Sequence, residues 1–136
     1  SPLPGEEGGN TSSGQDPIDR SHLSRLAKIG SGGGGDLVNE LIRLFLDETP
    51  KKLAQLQQAL LVRDSHAIEQ IAHNLKSEAG NLGARYVVAT CQTMELEARQ
   101  GNLDSAPALL QELTTAFIEA KGRLRTRITR IDRKVA

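Results

Sequence analysis

Aromatic residues are nearly missing: the 136-residue chain has no Trp, one Tyr (Tyr86) and two Phe (Phe45 and Phe117). So few rings, so widely scattered, cannot build the stacking platform on which single-stranded nucleic acid is held. Cysteine occurs once, as Cys91. No disulfide can form within this chain, and the apolar neighbours of Cys91 mark it as a small buried hydrophobe. No apolar run reaches the roughly 18 residues that would span a bilayer, and the N-terminus lacks the charged-then-apolar design of a signal peptide. The expected location is therefore cytoplasmic. Charge of one sign is also lacking, with 17 Lys+Arg against 17 Asp+Glu. The chain is no polycation, although residues 1–16 hold only acidic charges and leave a small positive excess on the remainder.

What is present is amphipathic helix. From Pro17 onward apolar residues recur at spacings of three and four, and nothing alternates with period two for long enough to make a strand. Residues 1–16, rich in Gly, Ser, Pro and Glu, read as a flexible linker and suggest a domain cut from a longer chain. Asp16-Pro17 can open a short helix carrying Ile18, Leu23, Leu26 and Ile29, ended by the glycine run from Gly30 to Gly35. That run lacks a following Gly-Lys-Ser/Thr and a preceding strand, so a phosphate-cradling loop is disfavoured. Asp36 can cap a second helix through Phe45 and Leu46, which Thr49-Pro50 is expected to close while starting a third, through Leu53, Leu56 and Leu60. Arg63-Asp64-Ser65 caps a fourth, a fifth runs from Ala84 to Gln100, and the last begins near Asp104 or Ser105. Short connections between such helices predict an all-α, antiparallel up-down bundle over residues 17–120, followed by a basic extension over 121–136.

The fourth helix separates its chemistry by face. Ile68, Ile71, Ala72, Leu75, Ala79 and Leu82 fall in one arc and form a core stripe. His73 lies on the opposite side and faces solvent, with Lys76 beside it and His66 and Gly80 on its line along the helix. The two histidines are about 10.5 Å apart along the axis, too far to share one zinc with Zn–N bonds of about 2.0–2.1 Å. His73 acts singly. An exposed imidazole is a competent nucleophile near neutral pH, a neighbouring ammonium can balance phosphoryl oxygens, and a residue without Cβ admits a partner surface. An exposed His on an amphipathic helix can also be a solvated residue and no more.

The run Ala72-His73-Asn74-Leu75-Lys76-Ser77-Glu78-Ala79-Gly80-Asn81-Leu82-Gly83 resembles the signature of histidine phosphotransfer (HPt) domains. The resemblance extends to Leu44-Phe45-Leu46 with Pro50, to the Arg63-Asp64 turn, and to the segment from Glu97 to Leu103. It covers roughly Ile18 to Ile118, one contiguous domain. It implies an antiparallel up-down four-helix bundle, here with a short additional N-terminal helix, that serves as a module of a bacterial multistep phosphorelay, commonly at the C-terminus of a hybrid sensor histidine kinase whose parent chain can be anchored in the inner membrane. His73 would take a phosphoryl group on Nε2 from a receiver-domain aspartate and give it to another receiver. Lys76 would screen phosphoryl charge, while Asn74, Ser77, Glu78, Gly80 and Gly83 would belong to the docking face. The domain itself would need no cofactor, with Mg²⁺ belonging to the receiver.

Three positions qualify this picture. Ser77 stands where the family most often has Gly, and Glu78 where small residues are common, so its charge could repel an acidic receiver rim or select a basic one. Glu95 is similar in position to a Glu that, in chemotaxis kinases, hydrogen-bonds the histidine Nδ1; relay domains more often have Gln. The competing reading of Glu95 is a solvated side chain near a helix end. Exposed apolar residues should frame the docking face, with Leu26, Ile29 and Val38 as candidates. The basic stretch from Lys121, with Arg123, Arg127, Arg130 and Lys134 on one face, could orient an acidic receiver or simply complement the helix dipole. The expected partners are receiver domains, without nucleic acid or direct membrane contact, and the expected state is monomeric. The alternatives are a module that binds a receiver without transferring phosphoryl, and a bundle that attaches to nucleic acid or membrane through its basic end. No set of side chains suited to autonomous hydrolysis or self-phosphorylation emerges.

Overall fold

The computed structural model describes residues 16–29 and 34–135. The described residues form five helices: α1 (Arg20–Ile29), α2 (Gly34–Leu61), α3 (Ser65–Asn81), α4 (Arg85–Arg99) and α5 (Ala106–Val135). α2 packs on α3 and α5, and α4 packs on the same two helices, which closes a ring of four; α1 lies against α2. Connections of a few residues make successive helices antiparallel. The expected four-helix bundle with an extra short helix is the observed architecture.

Local chemistry explains most boundaries. Arg63 adopts a left-handed conformation (φ 56°), and the Asp64 carboxylate accepts from the Ala67 backbone N–H at 3.1 Å, satisfying one free donor of the first turn of α3. Ile68, Ala72, Leu75, Ala79 and Leu82 of the predicted stripe are buried, and Ile71 is half-buried. Across the bundle Phe45 and Phe117 meet edge to face at 5.6 Å, a favoured aromatic geometry. Cys91 is fully buried, and loss of water around it pushes its thiol up to about 12.

Two expectations are corrected. Thr49-Pro50 does not divide two helices: α2 runs unbroken with Pro50 inside it. A proline there removes the donor that would bond the carbonyl four residues earlier. Pro50 is exposed, so water can reach that side, whereas Ile42, Phe45, Thr49 and Leu56 are buried along one stripe that spans the proline. Continuous burial outweighs the local break. The N-terminal helix starts at Arg20 rather than at Asp16-Pro17, because Asp19 caps it, its carboxylate accepting from His22 N–H at 3.2 Å. The segment before it lies extended on the α3–α4 turn, where Ile18 and Ala84 form an antiparallel β-bridge. There Asp19 N–H donates to Gly83 O at 2.7 Å and Arg85 N–H to Pro17 O at 3.1 Å.

Apart from Asp16, the linker expected over 1–16 falls outside the described residues, as do the side chains of Leu26, Ile29, Arg130 and Lys134. α5 runs without a break through the basic stretch to Val135.

Candidate functional site

α3 carries His73 outward, with 57% of its side chain exposed. Glu95, directly across on α4, is instead buried at 4% exposure. It is not the solvated side chain of the competing reading. Its Oε2 sits 2.8 Å from His73 Nδ1, and its Oε1 forms an ion pair with Lys76 Nζ at 2.7 Å. Lys76 and His73 thus converge on one carboxylate from the same helix, three residues apart and on one face. The hydrogen bond from Lys76, together with that from His73, holds the Glu95 carboxyl below its ordinary value against the opposing effect of burial. Glu95 is therefore ionised at neutral pH and can only accept. The proton of the ring then belongs on Nδ1, which donates to Glu95, and Nε2 is left with its lone pair.

Two residues not singled out in the sequence complete the cluster. Arg99, one turn after Glu95 on α4, places Nη2 2.9 Å from Glu95 Oε2 and Nε 2.9 Å from Glu69 Oε2. Glu69 lies one turn before His73 on α3. The sequence signals for Arg99 were its i,i+4 spacing with Glu95, a common surface pattern, and its place in the family-like segment from Glu97 to Leu103, neither of which gave it a role. Glu69, Gln70, His73, Asn74, Glu95 and Arg99 line an open depression of about 310 Å³.

The predicted docking residues divide. Asn74 and Ser77 are exposed beside His73, and Gly80 has open space where a Cβ would stand. Glu78 does not present a bare carboxylate, since Lys52 of α2 reaches it at 3.2 Å. Gly83, half-buried, is committed to a contact within the molecule: its φ is +70°, and a Cβ there would meet Asp19 Cβ at 2.9 Å and Asp19 O at 3.0 Å. Its glycine serves the α1 docking, through a backbone conformation that L side chains rarely take. Val38 is fully buried and frames nothing. Leu37 and Leu44 are the exposed apolar residues on the same helix before Pro50, and Leu44 with Leu41, Phe45, Glu78, Asn81 and Leu82 lines a groove of about 130 Å³. Between α1 and α5, Arg123 and Arg127 border a second groove with Arg20 and Leu23. Among the described residues no three His, Cys, Asp or Glu side chains could jointly hold a metal ion, and no helix is long and apolar enough to cross a membrane.

Comparison with known proteins agrees with this fold. The crystal structure of histidine-containing phosphotransfer protein B (HptB) from Pseudomonas aeruginosa PAO1 superposes with a TM-score of 0.76 at 26% identity, covering 83% of this chain and 95% of that one. Histidine-containing phosphotransfer protein 2 of Arabidopsis thaliana is 23% identical over 105 residues, which span 75% of this chain and 67% of the relative. The profile of the Hpt domain matches residues 40–133, which take in α3, α4 and every residue of the His73 cluster. The chain belongs to the Hpt domain family.

Proposed function

We propose that this protein is a phosphoryl carrier of a phosphorelay, accepting a phosphoryl group on His73 from a receiver-domain aspartyl phosphate and passing it to a second receiver. The observation that carries this reading is the 2.8 Å contact of His73 Nδ1 with a buried, ionised Glu95. With the proton held on Nδ1, the Nε2 lone pair attacks phosphorus, the N–P bond forms, and the P–O bond to the receiver's aspartate breaks, returning its carboxylate. The ring gains positive charge while its Nδ1 proton stays in the hydrogen bond to Glu95, which stabilises it. Lys76, one turn from His73 on the same face of α3, is the cation we assign to the incoming oxygens. The reverse sequence delivers the group to the next receiver.

The divalent ion of the reaction we assign to the receiver, where charge develops on the leaving carboxylate. Docking uses the face of Asn74, Ser77 and Gly80, with Leu44 and the Lys52–Glu78 pair on its flank. The absence of any nucleotide-binding motif in this sequence supports a carrier that depends on a donor, and we place it in a hybrid sensor kinase pathway, on the cytoplasmic side, as a monomer. Labelled phosphoryl offered from a panel of phosphorylated receivers tests the reading. Acid-labile, alkali-stable label is expected on the wild type and none on His73→Gln. Binding of receivers without label on the wild type overturns it in favour of a non-transferring interaction module.

A further inference from the structure

The ion pairs around His73 form a ladder. Glu69 and His73 are one turn apart on α3, Glu95 and Arg99 one turn apart on α4, and the antiparallel packing sets Glu69 opposite Arg99 and His73 opposite Glu95. Arg99 also links the two rungs, because its Nη2 bonds the same Glu95 oxygen that receives His73 Nδ1. The torsion that orients a glutamate carboxylate is broad and nearly two-fold. A single partner leaves that torsion soft, and Lys76 alone could draw both oxygens toward itself. Lys76 on Oε1 and Arg99 on Oε2 hold the carboxylate plane from both sides, with Oε2 aimed at the imidazole. Arg99 can do this because its planar fork gives one N–H to each carboxylate, a task a lysine ammonium cannot reproduce with fixed geometry.

We propose that Arg99, anchored by Glu69, is a positioning residue that sets the tautomer of His73 through Glu95, and thereby the rate at which Nε2 accepts a phosphoryl group. The rate half of this inference rests on the carrier function; the tautomer half does not. The charged groups around the ring are Glu69 and Lys76 from α3 and Glu95 and Arg99 from α4, all already in the ladder.

The test reads the ring itself. Long-range proton–nitrogen NMR of unphosphorylated wild type at neutral to mildly alkaline pH should give a protonated Nδ1 and a bare Nε2. In Arg99→Ala and Arg99→Lys the Nε2-protonated form should gain at its expense, and Glu69→Gln should shift the ring in the same direction by less. Phosphoryl acceptance by Arg99→Ala should slow about tenfold, the scale at which loss of a group that orients an imidazole through its partner is felt. Melting curves accompany each variant, and Glu69→Gln serves if Arg99→Ala does not fold. Ring signals at wild-type values in Arg99→Ala and Glu69→Gln, while Glu95→Gln moves them, overturn the proposal, as does Arg99→Lys behaving like wild type. Wild type that accepts no phosphoryl, with ring signals still moved by Arg99→Ala, removes the carrier reading and leaves the positioning role in place.

Discussion

The two flanks of α3 each hold a carboxylate facing cations, and they are built differently. Toward α4, Glu95 is buried and meets three donors, at 2.7 Å from Lys76, 2.8 Å from His73 and 2.9 Å from Arg99. Toward α2, the Glu78 side chain is 41% exposed and meets Lys52 alone at 3.2 Å. Burial of a charge is unfavourable unless its partners are well placed, whereas a pair that water reaches at its carboxylate end gains less because water competes there. The first contact is an acceptor constructed around an imidazole; the second masks a surface charge beside a docking face. Between the two flanks runs the apolar stripe that holds α3 in place.

The largest effect should separate the stripe from the flanks. Leu75→Ala, at a fully buried position two residues from the histidine, should cost about 2–5 kcal/mol. His73→Gln should stay within about 0.5 kcal/mol in the same urea titration. A large loss in His73→Gln would mean that the α4 flank is itself part of the structural core. Next, Gly83→Ala forces a side chain into a left-handed conformation against Asp19 and should cost about 1–3 kcal/mol. Faster hydrogen exchange at the Asp19 and Arg85 amides would check the cause.

The pH response tests the α4 flank alone. The Glu95 carboxyl is held below 4.5 in the fold, so its contribution is fully present above that value and is lost as pH falls through its lowered pKa. Wild type should lose stability on acidification below about pH 4.5 more steeply than Glu95→Gln, whose side chain does not titrate. Parallel curves would place the carboxylate outside the balance. Smallest of all, Lys52→Ala should change stability by less than about 1 kcal/mol. Its visible result should be a receiver affinity that depends more strongly on salt, once Glu78 is unmasked.

Periodicity and capping made the helices legible, because the residues that α3 buries recur at the helical repeat and Asp64 is a capping residue at its start, while the count of four came from the family resemblance. Pro50 was misjudged for a physical reason: the break it causes is local, whereas the burial that overrides it comes from helices distant in sequence. Asp19 and Gly83 lie too far apart in the chain for their contact to be read from either segment. In the site, His73 and Lys76 could be placed from the wheel, and Glu95 became a candidate through family resemblance. Arg99 and Glu69 could not be found, since their pairing depends on the register of two antiparallel helices, which the pattern of either helix leaves undetermined. The Leu44 groove was missed in favour of Val38 on the same helix, where one position of rotation separates core from surface.

Cys91 gives this molecule a built-in clock. It is the only thiol in the sequence, it is fully buried one turn before Glu95, and with its pKa pushed up to about 12 it stays protonated and unreactive while the fold is closed. An alkylating reagent can therefore reach it only during opening events, and the labelling rate counts how often the α4 side of the bundle comes apart. Each molecule carries one such counter, so a receiver that docks on the neighbouring face should register as a slower tick without any thiol having to be engineered in.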